Sequence, residues 1–249
     1  AGRGDRLEIG TCVENSIDSE MSGNIIDLCP VGALTNKPFR FAARAWELVA
    51  KPSIAAHDGV GSCLFHHVRR GKVMRTVPRD NEATNEAWLS DRDRYSHIGL
   101  NAQDRVLEPQ VKRNGEWATV SWEEAFEFTV STLRGQLDNH GANQLGMLMS
   151  PSVTSEEYYL SQQMLRQLGS GNIDHRLRQL DFTDQDNAPL CPSLGQSLAA
   201  LEVVNAALVI GGNPRKDQPI LGHRLRKAAV AGAQVMFVNP VDYEFLFDV

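Results

Sequence analysis

The residues of this sequence best suited to redox or metal chemistry are four cysteines: Cys12, Cys29, Cys63 and Cys191. They are dispersed, and no two stand at CxxC spacing. The spacing therefore provides neither a complete four-thiolate cage nor the disulfide framework of a small secreted protein. A reducing cytoplasm is the expected compartment. Cys29 has a distinctive setting, the run Asp27-Leu28-Cys29-Pro30-Val31-Gly32-Ala33-Leu34. In bacterial-type ferredoxins a cysteine before proline closes the cluster-binding motif. Proline in the first turn of a helix fixes the backbone just after such a ligand, and its missing N–H costs nothing there. The thiolate would then lie beside free N–H groups of a helix start, donors that suit a negatively charged cluster. The dipeptide alone also describes a buried cysteine at a helix start, which is the commoner case.

Other polar groups are less promising. His66 and His67 are adjacent in a strand-like run, so their side chains face opposite ways and make a poor metal site. His175 and His223 have no sequence partner at ligand spacing. Glu123 and Glu124 read as a helix start rather than an acid/base pair. Arg166, Arg176 and Arg178 form a basic cluster that suits an anion or, more commonly, a solvated or subunit-facing surface. No Ser/His/Asp or Cys/His arrangement has supporting context. Gly211-Gly212-Asn213-Pro214 follows an apolar run. A Gly-rich turn at the C-terminal end of a parallel strand is where doubly wound sheets bind ligands. An ordinary strand-to-helix turn would look the same.

Three zones would position these groups. Residues 1–50 are irregular and glycine-bearing. From Pro52 a β-rich module begins, with residues 64–70 and 72–78 forming a hairpin about Gly71. A polar stretch, 79–94, is expected to be loop with a short helix. Residues 117–120 read as a strand after the Asn114-Gly115 turn signal. From Ser121 the pattern becomes α/β. Ser121 caps a helix running through Ala125, Phe126, Phe128, Val130 and Leu133. Residues 145–149 are a short strand. Residues 154–168 are helical, with Tyr158, Leu160, Met164, Leu165 and Leu168 on one face. Residues 206–211 and 234–238 are buried strands flanking a helix over 218–231. Strand, helix, strand in this order predicts parallel crossovers and a doubly wound sheet.

The 249 residues suffice for one or two domains with a sizeable core. Hydrophobic content of 42% and charged content of 22% are ordinary for a soluble domain. A net charge of −6 argues against a nucleic-acid partner, which would need a basic face. No apolar run approaches a membrane span, so direct membrane insertion is not expected. Neither end resembles a processed or initiating terminus, and both read as cuts through a longer polypeptide.

The surroundings of Cys29 carry more than the dipeptide. Cys29-Pro30-Val31-Gly32-Ala33-Leu34-Thr35 is followed by Lys37-Pro38, Arg44 and Trp46. It is preceded by Gly2-Arg3-Gly4-Asp5, Glu8-Ile9-Gly10-Thr11 and Ser19-Glu20-Met21-Ser22-Gly23-Asn24. This pattern strongly resembles the ferredoxin-like region of the large iron–sulfur subunits of respiratory NADH:quinone oxidoreductases. The resemblance implies that Cys29 is the fourth ligand of a [4Fe–4S] cluster, the other three coming from a CxxCxxC motif upstream of residue 1. Cys12 matches no ligand position.

The zone from Pro52 resembles the iron–sulfur domain at the front of molybdopterin oxidoreductases, where CxxCxxxC is followed further along by a fourth cysteine. The matching runs are Ala55-Ala56-His57-Asp58-Gly59-Val60-Gly61-Ser62 and Trp88-Leu89-Ser90-Asp91-Arg92-Asp93-Arg94-Tyr95. The four ligand positions fall on Ala55, Asp58, Ser62 and Ser90. None supplies the soft thiolate that iron–sulfide needs. Cys63 is one position out of register and should face the other way. Lys72-Val73-Met74-Arg75, Val77-Pro78-Arg79 and Asn81-Glu82 fit the same respiratory family.

In the third zone the Asn-Pro turn, with Arg224, Arg226, Lys227 and Ala228 in the following helix, resembles the molybdopterin domain. The run from Asn172 to Leu180 covers the segment that ends in the metal ligand of formate-dehydrogenase-like members. The resemblance places Leu180 at the molybdenum position, and Leu offers no lone pair. Asp181, one residue on, would be a ligand if the register shifted by one.

The expected architecture is therefore α/β. Residues 1–50 form the end of a ferredoxin-like [4Fe–4S] domain, 51–110 a β-rich module without cluster ligands, and 111–249 the first part of a molybdopterin-type doubly wound domain. The implied role is an electron-transfer and scaffold subunit, with other subunits of the peripheral arm as partners and a place on the cytoplasmic face of the bacterial inner membrane. Cys29 is the expected metal ligand, no molybdenum is expected, and the chain alone should show no turnover. The alternatives are a molybdopterin-dependent oxidoreductase of the formate dehydrogenase kind and a non-catalytic docking module.

Overall fold

The computed structural model describes residues 17–175, 183–189 and 192–249. Backbone contacts divide the chain into two compact units, Ala1–Ile98 with Cys191–Val249, and Gly99–Leu190. In the first unit a five-residue helix, α1 (Asn24–Leu28), precedes an antiparallel three-stranded sheet. Its strands are β1 (Val49–Ile54), β2 (Cys63–Arg69) and β3 (Lys72–Pro78). The β2–β3 hairpin turns on Arg70 and Gly71, with φ of 50° and 77°. Two positive φ values define the turn whose twist matches the strands, and glycine adopts one of them without strain. A register shift between His67 and Val68 separates the pair His67↔Arg75 from Val68↔Val73. β1 has no alternating apolar pattern, and five of its six residues are exposed, so only pairing with β2 identifies it as a strand. Ala55, Leu64 and Leu89 form a buried cluster beneath this sheet. A short helix, α2 (Asp91–Tyr95), follows, capped by the Ser90 hydroxyl.

The second unit opens with a hairpin, β4 (Gln110–Arg113) and β5 (Glu116–Thr119), turning on Asn114 and Gly115. Helix α3 (Trp122–His140) starts at Ser121, whose hydroxyl accepts from the Glu124 N–H, and stops at Gly141 with φ of 79°. It buries no residue, and Trp122, Phe126 and Phe128 are exposed. β6 (Met147–Leu148), α4 (Ser155–Gln167) and β7 (Ile173–Asp174) then make a small βαβ piece with β6 parallel to β7. Thr154 and Glu157 form a reciprocal capping box at the start of α4. The covered stripe of α4 runs through Tyr158, Ser161, Gln162, Leu165 and Leu168, while Leu160 and Met164 are exposed. The face differs from the one expected: apolarity alone puts Leu160 and Met164 inward, but the i, i+3, i+7 line of this helix passes through smaller and polar residues.

The chain returns to the first unit with β8 (Ala206–Ile210), α5 (Pro214–Asp217), α6 (Pro219–Val230) and β9 (Gln234–Val238). β8 and β9 are parallel and pair in register from Ala206↔Gln234 to Ile210↔Val238, so the crossover expected from sequence is present. α6 buries Ile220, Leu225 and Ala228. It also buries Gly222, where a Cβ would stand 3.1 Å from the Pro214 carbonyl oxygen. The two strands are not buried on both faces as the sequence suggests. Leu208, Ile210, Met236 and Val238 are exposed, because α6 covers one side only. Among the described residues the parallel strands form two separate two-stranded sheets, β6–β7 and β8–β9. The architecture is mixed α/β with small sheets.

Candidate metal centre

Cys29 is the C-cap of α1, with φ −86° and ψ 98°. The helix lies before the cysteine and not after it. Pro30 occupies the second position of a turn closed by the Gly32 N–H donating to the Cys29 carbonyl at 3.3 Å. Gly32 has φ of +66°. Proline fits this position because its fixed φ presets the turn, and glycine because it takes positive φ freely. The expected helix start is thus a tight turn, but the donors expected of it are present. The Leu34 N–H donates to Cys29 Sγ at 3.5 Å. That bond is the main cause holding the thiol below its ordinary range; partial burial opposes it, and the Ala33, Val31 and Gly32 N–H groups add to it. The turn therefore favours thiolate, the form that binds a metal. Cys29 is half-buried.

The four positions of the second cage lie in three separate sets of polar contacts. Ala55 donates its N–H to the Ser62 carbonyl at 2.9 Å. Ser90 Oγ accepts from the Asp93 N–H at 3.1 Å and donates to Asp93 Oδ2 at 2.7 Å. Asp93 Oδ1 lies 2.7 Å from His57 Nδ1. Asp58 pairs with Arg92 at 2.8 Å and accepts from the Val60 N–H at 3.0 Å. Burial chiefly raises the Asp58 carboxyl, with the Asp93 charge adding to it, against the Val60 N–H and Arg92. Ser62 Oγ is buried with no hydrogen-bond partner among the described residues. Cys63 is turned elsewhere. Its Sγ accepts from Asn81 Nδ2 at 3.2 Å, and hydrogen bonds from Arg79 and then Asn81 lower its thiol. Oxygens, a methyl group and an imidazole line this place, and they do not fit an iron–sulfide cluster.

The turn after β8 can be tested against the anionic groups of a pterin dinucleotide. The Gly211 N–H donates to the Val238 carbonyl at 2.9 Å. The Asn213 N–H donates to Asp217 Oδ2 at 3.2 Å. Pro214 has no N–H. Asn239, just after β9, donates to the Gly212 carbonyl at 3.1 Å. The amide oxygens of Asn213 and Asn239 are buried and unpartnered among the described residues. A pyrophosphate needs donors. The Asp217 carboxylate, bonded to the Asn213 N–H, would oppose a phosphate at this turn.

The remaining candidates are dispersed. His66 Nδ1 contacts Thr76 Oγ1 at 3.0 Å, whereas His67 Nδ1 accepts from Arg75 Nε at 3.0 Å. Their different partners agree with opposite faces. Glu124 pairs with Arg113 at 2.7 Å. His223 packs edge-on to Trp88 and lies 3.6 Å from Glu86. Arg166 is exposed on α4. Cys12, Arg176, Arg178, Leu180, Asp181, Cys191 and the motifs before Ile17 lie outside the described residues. Among the described residues no group of three or more His, Cys, Asp or Glu is arranged to hold a metal. Sequence reasoning missed Asp91, Arg94 and Asp217. Their residue types carry no local signal, and their long-range partners are visible only in three dimensions.

Residues 105–246, more than half the chain, match the family model described as molybdopterin oxidoreductase. Residues 1–35 match the ferredoxin-like domain of NADH-quinone oxidoreductase subunit 3. Residues 49–97 match the NDSU1/NuoG-like 4Fe-4S domain of NADH-ubiquinone oxidoreductase. The chain is 38% identical over 250 residues to the 75 kDa subunit of NADH-ubiquinone oxidoreductase of Reclinomonas americana, covering 93% of this chain and 34% of that protein. It is 35% identical to the G subunit of the NADH-quinone oxidoreductase of Rickettsia prowazekii, over 93% of this chain and 33% of that one. The mitochondrial 78 kDa subunit of Candida albicans is 34% identical over 249 residues, 100% of this chain and 34% of that one. The chain thus spans about one third of the length of these curated relatives. Acetylene hydratase from Pelobacter acetylenicus superposes with a TM-score of 0.56 at 17% identity, over 76% of this chain and 27% of the hydratase. That likeness concerns the fold alone.

Proposed function

Because the chain belongs to the molybdopterin oxidoreductase family, and its relatives over nearly its whole length are large subunits of NADH:quinone oxidoreductases, we propose that it is an electron-transfer and scaffold segment of such a subunit. In this reading it helps carry electrons from NADH toward quinone. The observation that carries it is Cys29, a thiol that backbone N–H groups favour as thiolate, in the segment matching a ferredoxin-like domain. Cys29 supplies one corner of a [4Fe–4S] cluster. The cluster provides one-electron chemistry when bound; the turn at residues 29–34 orients the sulfur and spreads N–H donors around it.

Three modules compose the segment: residues 1–50 of the cluster domain, 51–110 as a module without a cluster, and 111–249 as part of a doubly wound α/β domain. The βαβ pieces β6–α4–β7 and β8–α6–β9 support the last. The domain serves as scaffold and not as a molybdenum site, since the Asp217 carboxylate at the strand-end turn opposes the cofactor's phosphates. The partners are the other subunits of the peripheral arm, and the location is the cytoplasmic face of the bacterial inner membrane. No helix among the described residues is long and apolar enough to cross a membrane.

Metal analysis of the full-length protein tests this reading. Iron and sulfide without molybdenum is the expected result. Molybdenum at one per chain would establish instead a molybdopterin-dependent oxidoreductase, and absence of both metals a docking module.

A further inference from the structure

α1 is only five residues long, too short to hold its own shape in water. It ends on Cys29, yet its neighbours are drawn from a segment more than sixty residues downstream. Asp91 Oδ1 accepts from the Gly23 N–H at 2.7 Å, and Oδ2 accepts from the Ser22 hydroxyl. The Asp91 N–H in turn donates to the Glu20 carbonyl at 2.8 Å. The Arg94 guanidinium, 1% exposed, donates to Asn24 Oδ1 at 3.0 Å and pairs with Asp27 at 2.6 Å. Asn24 bonds both polar groups of the Leu89 backbone, accepting at 3.0 Å and donating at 2.8 Å. Every turn of the short helix is therefore fixed by residues 89–94, down to Asp27, two positions before the thiol.

The contact admits no added volume. A Cβ on Gly23 would stand 2.6 Å from Asp91 Oδ1 and 2.7 Å from Arg94 Cδ. Hydrogen bonds with a charged partner are stronger and shorter than neutral ones, and a buried charge that loses its partner is strongly unfavourable. Asp91 and Arg94 so placed hold α1 in a single position. The holding helix α2 is itself capped by Ser90 and Asp93, in the module that lacks cluster thiolates.

We propose that Asp91 and Arg94 are positioning residues for Cys29, fixing the approach of its sulfur to the cluster; this rests on Cys29 being a ligand. Outer groups that orient a metal ligand tune the properties of the metal they never touch. The experiment uses the full-length subunit in its assembled complex. Cys29→Ser identifies the EPR signal that depends on this sulfur. Asp91→Asn removes charge without volume, and Gly23→Ala adds volume without charge. Ile220→Val, in the core of α6, controls for loss of stability alone.

The expected result is that Asp91→Asn and Gly23→Ala retain the signal's intensity but shift its g-values and midpoint potential, while Ile220→Val shifts neither. Arg94→Lys, which keeps charge but not the forked geometry, should shift them in part. Unchanged g-values and potential in Asp91→Asn would overturn the positioning role while leaving Cys29 a ligand. If Cys29→Ser leaves every signal unaltered, the ligand reading itself fails, and the positioning role with it. Should Gly23→Ala not assemble, Asp91→Asn decides the matter.

Discussion

Ser90 and Asp93 bond each other twice, Ser90 Oγ accepting from the Asp93 backbone N–H at 3.1 Å and donating to the Asp93 carboxylate at Oδ2, 2.7 Å away. Both residues are buried, and the second carboxylate oxygen meets His57 at 2.7 Å. The serine serves the start of α2, and the fold around it closes on hydrogen bonds.

Ser90→Ala should destabilise the protein by about 1–2 kcal/mol, since it removes an N-cap and leaves the buried Asp93 carboxylate short of a donor. Denaturant unfolding followed by circular dichroism measures this. A change under a few tenths of a kcal/mol would show that the cap does not contribute.

Gly222→Ala should cost about 1–3 kcal/mol. The new Cβ would meet backbone, the Pro214 carbonyl oxygen at 3.1 Å and its carbon at 3.2 Å, and neither can swing aside. Thermal unfolding of the variant should show a lower midpoint. Gly171→Ala, whose added Cβ would have nothing within 4 Å, is the matched control.

Acid should weaken the ion-pair network that ties α6 to the loop before α2. Arg224, nearly fully buried, bonds Glu202 and the carbonyls of Glu82 and Thr84; Lys227 bridges Glu86 and Glu202, each at 2.6 Å. For Glu86 and Glu202 burial is the largest single influence and raises the carboxyl. The hydrogen bonds from Lys227, and for Glu202 also Arg224, together with the nearby positive charges, outweigh it and leave both carboxyls below their ordinary value of 4.5. Folded values below unfolded ones mean that this stabilisation is complete above about pH 4.5 and is lost as pH falls through the lower folded values. Stability measured from pH 6 down to pH 3 should therefore fall, and less steeply in Glu202→Gln. An equal slope in wild type and variant would contradict the assignment.

The turn after β8 should bind no nucleoside diphosphate. Titration calorimetry of the protein with GDP should show no saturable heat, because Asp217 occupies the Asn213 N–H and opposes an anion. Saturable binding at this turn would refute this account, and Asp217→Ser should then strengthen that binding.

Local chemistry was legible in the sequence where it is set by near neighbours. The Gly71 and Asn114-Gly115 turns, the Ser121 cap, and the βαβ order about α6 all follow from residue types at short spacing. β1 was not legible, because an exposed edge strand containing Pro52 has no periodic pattern and exists by pairing with β2. The covered face of α4 was misread for a related reason: exposure of Leu160 and Met164 depends on what packs against the helix. At the metal centre the cysteine was legible and its surroundings were not. Pro30 suggested a helix start, but proline suits the second position of a turn equally well. The bonds of Asp91 and Arg94 to α1 span nearly seventy residues and have no signature in local sequence.

The most direct test is EPR spectroscopy and iron analysis of the full-length subunit in its complex, with and without Cys29→Ser. The account requires the loss of one [4Fe–4S] signal and of that cluster's iron, with the remaining signals intact. A Cys29→Ser complex with its full iron content and every iron–sulfur signal unaltered would contradict it.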